Sequence, residues 1–204
     1  MKNSIILTML LIAGCTQLAH RSGDIKQLPQ QKVVRSKKGV VTTAHPLATN
    51  AGIKMLESGG NAMDAAVAAA FTLSVVEPSM GGIGGRAQIL IYTPTNGVHG
   101  IDATTQAPPF YEFDDTLGVE YGYQTIAVPG VVKGLTDGLS DYGSLPLAQV
   151  MTPAIEYAQN GFTLLPGEAF RQESVNEILK EFSGTRQYYL NEDGTAKKPG
   201  DWVI

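Results

Sequence analysis

The chain has 204 residues, a net charge of −4, and a composition of 43 % hydrophobic and 17 % charged residues. These values fit a globular interior in one domain. The negative net charge argues against a nucleic-acid partner, and the single cysteine excludes an intrachain disulfide, so the domain must be held together by its core.

The N-terminus has the pattern of an export signal. Lys2 is followed by an almost entirely apolar run over residues 4–12. This run is far shorter than the ~20 residues that a membrane-spanning helix needs, but it has the size of a secretory hydrophobic region. Ala13-Gly14-Cys15 then matches a bacterial lipobox, in which the cysteine thiol takes a lipid and becomes the new N-terminus. The alternative is a plain signal peptide with an incidental cysteine.

We therefore predict a lipoprotein signal peptide over residues 1–14 and a flexible tether over residues 15–38. The protein would be exported and anchored through lipidated Cys15 on the periplasmic or cell-surface side of a bacterial membrane. The tether is polar and ends in a short basic stretch, which favours a solvated leader over a nucleic-acid-binding arm.

The body begins with a β-rich segment, Gly39–Thr43, and two predicted helices. The first helix spans Leu47–Glu57, where apolar residues recur at a spacing near 3.6. Asn61 is a good N-cap for the second helix, and Asp64 stands three residues later, where it can bond back to the cap. The second helix, over residues 62–75, is apolar nearly all round and is predicted to be buried.

A glycine-rich loop and a β-hairpin follow. Gly81–Gly85 contains four glycines, but a helix precedes it and a strand follows it, which is the wrong order for a nucleotide-binding loop. Ala87–Tyr92 and Val98–Thr104 are predicted strands, joined by a turn that contains Asn96-Gly97.

The remaining segments are predicted to be mainly helical. Residues 110–123 read as a surface connection, and Thr125–Gly130 as a short strand. Helices are predicted over Val131–Tyr142, Pro146–Asn160 and Glu168–Phe182, and the rest is rich in turns. The order predicts an α/β (α+β) fold with two adjacent antiparallel strands and helices against the sheet.

Several blocks of this sequence, in order, resemble the start of the large subunit of γ-glutamyltransferases. The most specific block is Gly-Gly-Asn-Ala-x-Asp-Ala-Ala, and the similarity covers residues 39–204. The blocks are Ala44-His45-Pro46-Leu47-Ala48, Gly59-Gly60-Asn61-Ala62-Met63-Asp64-Ala65-Ala66, Val76-Glu77-Pro78, Gly82-Ile83-Gly84-Gly85, Val128-Pro129-Gly130-Val131 and Tyr142-Gly143-Ser144-Leu145-Pro146.

The resemblance implies an αββα N-terminal-nucleophile hydrolase, incomplete in this chain, that is made as a self-cleaving zymogen. The N-terminal Thr of the small subunit attacks a γ-glutamyl amide, and the γ-glutamyl group passes to water or an amino acid. That Thr is expected beyond Ile204, so the resemblance implies no catalytic nucleophile among these residues and an inactive fragment. It implies glutathione or a similar donor, the protein's own small subunit as partner, and no cofactor or metal.

The resemblance also identifies an altered position. The second hairpin strand in the family reads Asp-x-Arg-Glu-x-Ala-Pro, and its Arg holds the α-carboxylate of the donor, whereas this chain has Thr104 at the Arg position. A hydroxyl cannot replace a guanidinium–carboxylate pair. Either the donor lacks this carboxylate, as in related acylases or amidohydrolases, or another cation reaches the site. Arg86 is the candidate cation; the alternative is an ordinary surface arginine.

Other polar residues are given structural interpretations. His45 is interpreted as structural and Asp64 as serving the helix N-terminus, while His20 and His99 lack further ligands at metal-site spacing. Ser79 has no evident base partner. A different class of function also stays open, in which the chain is a non-catalytic, lipid-anchored domain that binds a ligand or partner.

Overall fold

In the computed structural model, residues 33–112 and 121–204 are described. Residues 41–204 form one compact unit, which contains all the helices and strands named below. Residues 33–40 belong to a separate unit and are exposed. Cys15 and the predicted signal peptide lie outside the described residues, as does part of the predicted surface connection. None of the described helices is both long and apolar enough to cross a membrane.

The first two helices agree with the sequence prediction. Helix α1 spans Pro46–Glu57 and α2 spans Ala62–Val76. Between them the chain reverses at Gly59, whose φ of 86° lies in the region that favours glycine. Nine residues of α2 are buried, as its nearly continuous apolar sequence predicts. Its many alanines let α1 pack closely against it.

The predicted hairpin is confirmed. Strand β1, Ala87–Thr93, pairs antiparallel with β2, Gly97–Ala103, in a register that sets Ala87 opposite Ala103. Because side chains alternate between the two faces of a strand, one face points to the core and the other away from it. The outer face carries Leu90, Tyr92 and Val98, which are 79 %, 71 % and 63 % exposed.

Helix α3, Val131–Tyr142, lies against the inner face of the hairpin, and α4, Leu147–Asn160, packs on α2. Close approach of α3 depends on Gly134, since a Cβ there would collide with the Cβ of Ala103. The main core lies between α1, α2, α3 and α4. Its buried members are Ala51, Met55, Met63, Ala65, Val67, Ala68, Phe71, Val131, Leu135, Leu139, Val150 and Ala154.

The C-terminal part forms a smaller core. Strand β3, Phe162–Thr163, pairs with β4, Trp202–Val203, so the end of the described chain returns beside the end of α4. Between these strands lie α5, Pro166–Ser174, α6, Asn176–Glu181, and α7, Ser183–Tyr189.

The prediction of one helix over Glu168–Phe182 is therefore wrong. The helix is interrupted at Val175, whose φ and ψ of −118° and 19° are not helical. The Ser174 hydroxyl bonds back to the Arg171 carbonyl at 2.7 Å, a local contact that competes with helix continuation. Helix α7 lies in a segment that the sequence predicted to be rich in turns.

Two predicted strands also differ from the structure. Gly39–Thr43 forms no strand, since no described segment pairs with it. In place of a strand over Thr125–Gly130, a 3₁₀ turn covers Tyr123–Thr125. Only Val128 joins a bridge there, to Gln106. Strand propensity needs a partner ladder before it becomes a strand.

Candidate functional site

The open end of the hairpin brings the two predicted donor-site residues together. Arg86 directly precedes Ala87, and Thr104 directly follows Ala103; these two alanines form the last pair of the ladder. Arg86 and Thr104 therefore leave the sheet side by side. This neighbourhood was expected from the hairpin pattern, and the register establishes it.

The same end of the hairpin is clamped by the segment that enters α3. Gln106 and Val128 exchange two backbone hydrogen bonds of 3.0 and 2.8 Å. A Cβ on Gly130 would lie 2.5 Å from the carbonyl oxygen of Thr104, so this position requires glycine. The Val131 N–H then donates to the Gly85 carbonyl at 3.3 Å. Residues on both sides of Arg86 and Thr104 are thus held by backbone contacts.

The two side chains differ in what they offer to a ligand. Thr104 is half-buried, and its backbone N–H donates to the Asp102 carboxylate at 3.1 Å. Arg86 is exposed, and among the described residues it forms no salt bridge. A guanidinium without a protein partner can take a carboxylate in a two-pronged contact. Arg86 is therefore an available cation at this end of the hairpin, within the part of the chain that the structure describes.

Asp64 does more than the sequence predicted. The capping box with Asn61 is confirmed, with the Asn61 N–H donating to Asp64 Oδ2 at 2.7 Å. The carboxylate also accepts bonds from the Ser144 N–H at 2.9 Å, the Ser144 hydroxyl at 2.7 Å and the Leu145 N–H at 3.0 Å. Asp64 is fully buried. It therefore ties the start of α2 to the loop between α3 and α4.

These contacts control the ionisation of Asp64. Burial by itself would raise the pKa of this carboxyl, but hydrogen bonds from Leu145, Ser144 and Asn61 favour the charged form. Together the hydrogen bonds prevail and hold the pKa below its ordinary value. Asp64 thus stays ionised at neutral pH, as a structural anion.

His45 caps α1 and agrees with its structural interpretation. Its Nδ1 accepts the Leu47 N–H at 3.1 Å, and the ring is 1 % exposed and perpendicular to the ring of Phe162. Burial lowers the pKa of the imidazole, while the nearby carboxylates of Glu77 and Glu168 partly oppose that shift. Because Nδ1 is an acceptor, the neutral ring carries its proton on Nε2, which is buried without a partner among the described residues.

The expectation that Ser79 has no base partner is wrong. Its hydroxyl donates to Glu168 Oε2 at 2.5 Å and accepts from Arg171 Nε at 2.6 Å. A hydroxyl beside a carboxylate can suggest a nucleophile with its base. Here, however, Arg171 occupies the oxygen that would attack. The arrangement is that of a fixed support.

Sequence reasoning missed Glu168 and Arg171. Glu168 is fully buried, and Arg171 bonds its carboxylate at 2.9 Å while lying 3.5 Å from Glu77. Gln172 donates to the same carboxylate at 2.8 Å. The available signal was the i, i+3 and i, i+4 spacing of these three residues on α5, which places them on one face. The contacts of Glu168 and Arg171 with Ser79, which lies 89 and 92 positions earlier, have no local signal.

No described group of histidine, cysteine and carboxylate side chains could hold a metal ion. His99 is occupied in the hairpin, with Nε2 3.1 Å from the Asn96 carbonyl and its ring 5.5 Å from that of Tyr142. His20 lies outside the described residues. The described part of the chain thus offers no metal centre.

Comparison with known proteins gives a family match over residues 48–204, to the model described as gamma-glutamyltranspeptidase. The glutathione hydrolase proenzyme of Bacillus subtilis (strain 168) is 34 % identical over 214 residues, covering 98 % of this chain and 36 % of that protein. The acylase ACY 1 proenzyme of Pseudomonas sp. (strain SE83) is 40 % identical over 154 residues, covering 67 % of this chain and 27 % of that protein. The chain thus spans about a third of the length of these relatives.

A solved structure shares the fold. The gamma-glutamyltranspeptidase of Helicobacter pylori has a TM-score of 0.79 and 32 % identity, over 84 % of this chain and 52 % of that one. The observed mixture of helices and a small antiparallel sheet is accordingly part of a larger α/β fold, as the sequence predicted.

Proposed function

The chain belongs to the gamma-glutamyltranspeptidase family. On that premise we propose that it is part of an enzyme that cleaves γ-glutamyl amide bonds. The enzyme is a glutathione hydrolase and γ-glutamyltransferase precursor. It transfers the γ-glutamyl group to water or to an amino acid. The observation that carries the proposal is the family match over nearly all of the compact unit.

The described residues supply support and binding surfaces, while the nucleophile comes from elsewhere in the protein. The Ser79 hydroxyl is engaged at both its proton and its oxygen. The Asp64 carboxylate accepts hydrogen bonds from four donors within the fold. We therefore expect no turnover from the 204 residues alone. The nucleophilic threonine belongs to a small subunit released by self-cleavage, which is also the main protein partner.

Arg86 is the proposed contact for the α-carboxylate of the donor. It stands beside Thr104, the position at which the family resemblance places an arginine, and it has no competing salt bridge among the described residues. A charge-assisted contact of this kind contributes ~1.5–3 kcal/mol. The proposed donor is accordingly glutathione or another γ-glutamyl compound with a free α-carboxylate.

A second candidate function is an acylase whose substrate lacks this carboxylate. Two observations favour it: the neutral hydroxyl of Thr104 and the 40 % identity to a protein named as an acylase. In this case Arg86 is an ordinary exposed arginine. The two candidates share the nucleophile and differ only in how the donor is recognised.

The two are separated by paired substrates on the protein expressed from its complete reading frame. One substrate is γ-glutamyl-p-nitroanilide, and the other is 4-aminobutyryl-p-nitroanilide, which lacks only the α-carboxylate. If Arg86 holds the carboxylate, Arg86→Ala raises KM for the γ-glutamyl substrate about 10-fold or more with little change in kcat. The KM for the 4-aminobutyryl substrate stays constant.

Arg35→Ala is the matched control, because Arg35 is another exposed arginine without a salt bridge among the described residues. It should leave both substrates unaffected. Equal KM values for Arg86→Ala and the parent would remove Arg86 from the site. A parent that turns over both substrates equally supports the acylase, and no turnover of either supports a non-catalytic binding domain.

The proposed location is the outer side of a bacterial membrane, through a lipid on Cys15. The supporting observation is the apolar run that ends in Ala13-Gly14-Cys15. Mass spectrometry of detergent-extracted protein should find a diacylglyceryl group on Cys15 and none in Cys15→Ser. A mature N-terminus at any other residue would refute the anchor.

A further inference from the structure

The glycine-rich loop before β1 has a conformation that its own packing does not explain. Gly81, Gly82 and Gly84 are not among the glycines with positive φ. A Cβ at Gly81 or Gly84 would meet no atom within 4 Å, and one at Gly82 would meet only a carbonyl oxygen at 4.0 Å. Glycine gives a chain its largest conformational freedom. The loop must therefore be fixed mainly by what holds its two ends.

The first anchor lies at Ser79, where the chain leaves α2. Its backbone N–H is 3.4 Å from Glu168 Oε1, and its hydroxyl donates to Glu168 Oε2 at 2.5 Å. The loop continues this support, because the N–H groups of Met80 and Gly81 donate to the Glu77 carbonyl at 3.0 and 3.3 Å.

Glu168 is suited to act as an anchor because it is fully buried and its carboxylate is saturated. Oε1 accepts from Ser79 N and from Gln172 Nε2 at 2.8 Å, and Oε2 accepts from the Ser79 hydroxyl and from Arg171 Nη2 at 2.9 Å. A buried charge is tolerated only when it is paired and hydrogen-bonded. No acceptor position remains for a ligand, so this carboxylate serves to hold protein groups in place.

The second anchor lies at Gly85, immediately before Arg86. The Gly85 N–H closes a turn onto the Gly82 carbonyl at 2.9 Å, and the Gly85 carbonyl accepts from Val131 N at 3.3 Å. Arg86 is therefore the first residue after a loop that is pinned at Ser79 and Gly85. Loosening the Ser79 end would free the glycines between the two anchors, which set the direction in which the chain enters Gly85 and Arg86.

We infer that Ser79 and Glu168 are positioning residues, which hold the glycine-rich loop so that Arg86 stands at the open end of the hairpin for the donor. This inference rests on the proposed role of Arg86. Glu168 acts over a long stretch of sequence because α5 packs beside the end of α2. Ser79 is the removable link, since its side chain is exposed and its loss leaves the Glu168–Arg171 pair in place.

The test compares Ser79→Ala, Ser79→Thr and the control Ser58→Ala, made in the protein from its complete reading frame. Ser58 is an exposed serine whose hydroxyl also bonds within the chain, to the Lys54 carbonyl at 2.8 Å. Amide hydrogen exchange is followed at Met80, Gly81 and Gly85, whose N–H groups are bonded in the structure. Ser79→Ala should accelerate exchange there about 10-fold, since one charge-assisted hydrogen bond is lost. Ser79→Thr keeps the hydroxyl and should restore the protection.

Kinetics separate positioning from simple damage to the fold. Ser79→Ala should raise KM for the γ-glutamyl anilide about 10-fold and leave KM for the 4-aminobutyryl anilide unchanged, because only the carboxylate contact depends on Arg86. An equal rise in KM for both substrates in Ser79→Ala would overturn the inference. So would amide exchange in the loop of Ser79→Ala that is no faster than in Ser58→Ala. Faster loop exchange in a protein inactive on both substrates would defeat the proposed function and the link to the donor, while leaving the anchor itself established.

Discussion

Replacement of Asp64 by asparagine should be among the most damaging isosteric changes in this domain. The carboxylate accepts four donors: three backbone N–H groups and the Ser144 hydroxyl. The asparagine side chain has one oxygen, so its NH2 group must replace either Oδ1 or Oδ2 and face groups that are themselves donors. Replacing Oδ2 costs less, because the Ser144 hydroxyl can turn and accept from the NH2 group. The Asn61 N–H then loses its acceptor.

The magnitude follows from these contacts. Losing the bond to Asn61 N–H costs about 1.5–3 kcal/mol, since the acceptor is ionised, and the remaining bonds to Ser144 N–H and Leu145 N–H each weaken by about 1 kcal/mol when the charge is removed. The charge also stabilises the N-terminus of α2 by about 0.3–1 kcal/mol. The expected loss in the free energy of unfolding is about 4–6 kcal/mol at pH 7. Such a loss is a large part of the ~5–15 kcal/mol that holds a typical domain.

Urea unfolding at pH 7 and at pH 3 measures this effect. Because the folded pKa of Asp64 lies below its ordinary value of 3.8, the stabilisation by the carboxylate is fully present above that value. It is lost as the pH falls through the folded pKa. The difference in unfolding free energy between the parent and Asp64→Asn should therefore be smaller at pH 3 than at pH 7. Ser144→Ala is the matched control, which removes one hydroxyl and should cost about 1 kcal/mol. A loss below about 1 kcal/mol for Asp64→Asn, or a loss equal at both pH values, would refute the reasoning.

Two further predictions concern His45 and α3. Because burial lowers the pKa of His45 below 6.5, the unfolded chain takes up its proton first, and stability should fall as the pH drops below that value. His45→Asn keeps an acceptor for the first turn of α1 and should flatten the pH dependence of unfolding between pH 7 and 5; an unchanged slope would remove His45 as the cause. Gly134→Ala should destabilise by about 1–3 kcal/mol, since its Cβ would collide with Ala103. A Cβ at Gly138 would meet the flexible end of Met63, so Gly138→Ala should lower the melting temperature less than Gly134→Ala does. A larger decrease for Gly138→Ala would contradict the packing described.

The elements that the sequence predicted well are those with local signals. Asn61 and Asp64 define the start of α2 through contacts three residues apart. Strand β2 begins at Gly97, whose φ of 77° is one that a side chain would disfavour. The hairpin register then follows from the turn, and with it the neighbourhood of Arg86 and Thr104.

The failures share a dependence on distant contacts. The strand propensity of Gly39–Thr43 finds no partner among the described residues. Helix α7 begins with Ser183-Gly184, a poor helical start, but the Thr185 hydroxyl bonds the carbonyls of Leu179 and Phe182 at 2.6 and 3.0 Å. Arg186 donates to the Lys180 carbonyl as well. These bonds fold α7 back onto α6, and helix propensity alone cannot anticipate them.

The same distinction separates the two halves of the candidate site. Arg86 and Thr104 become neighbours through one ladder, which can be read from the alternation of residues 87–104. The support beneath Arg86 joins Ser79 to Glu168 across 89 positions, and a buried glutamate in α5 gives no local sign of its partner. A family comparison points to the first half, because that half has a motif. The second half is seen only in the hydrogen bonds of the buried carboxylates. Glu168 accepts from Ser79, the residue at which the glycine-rich loop begins.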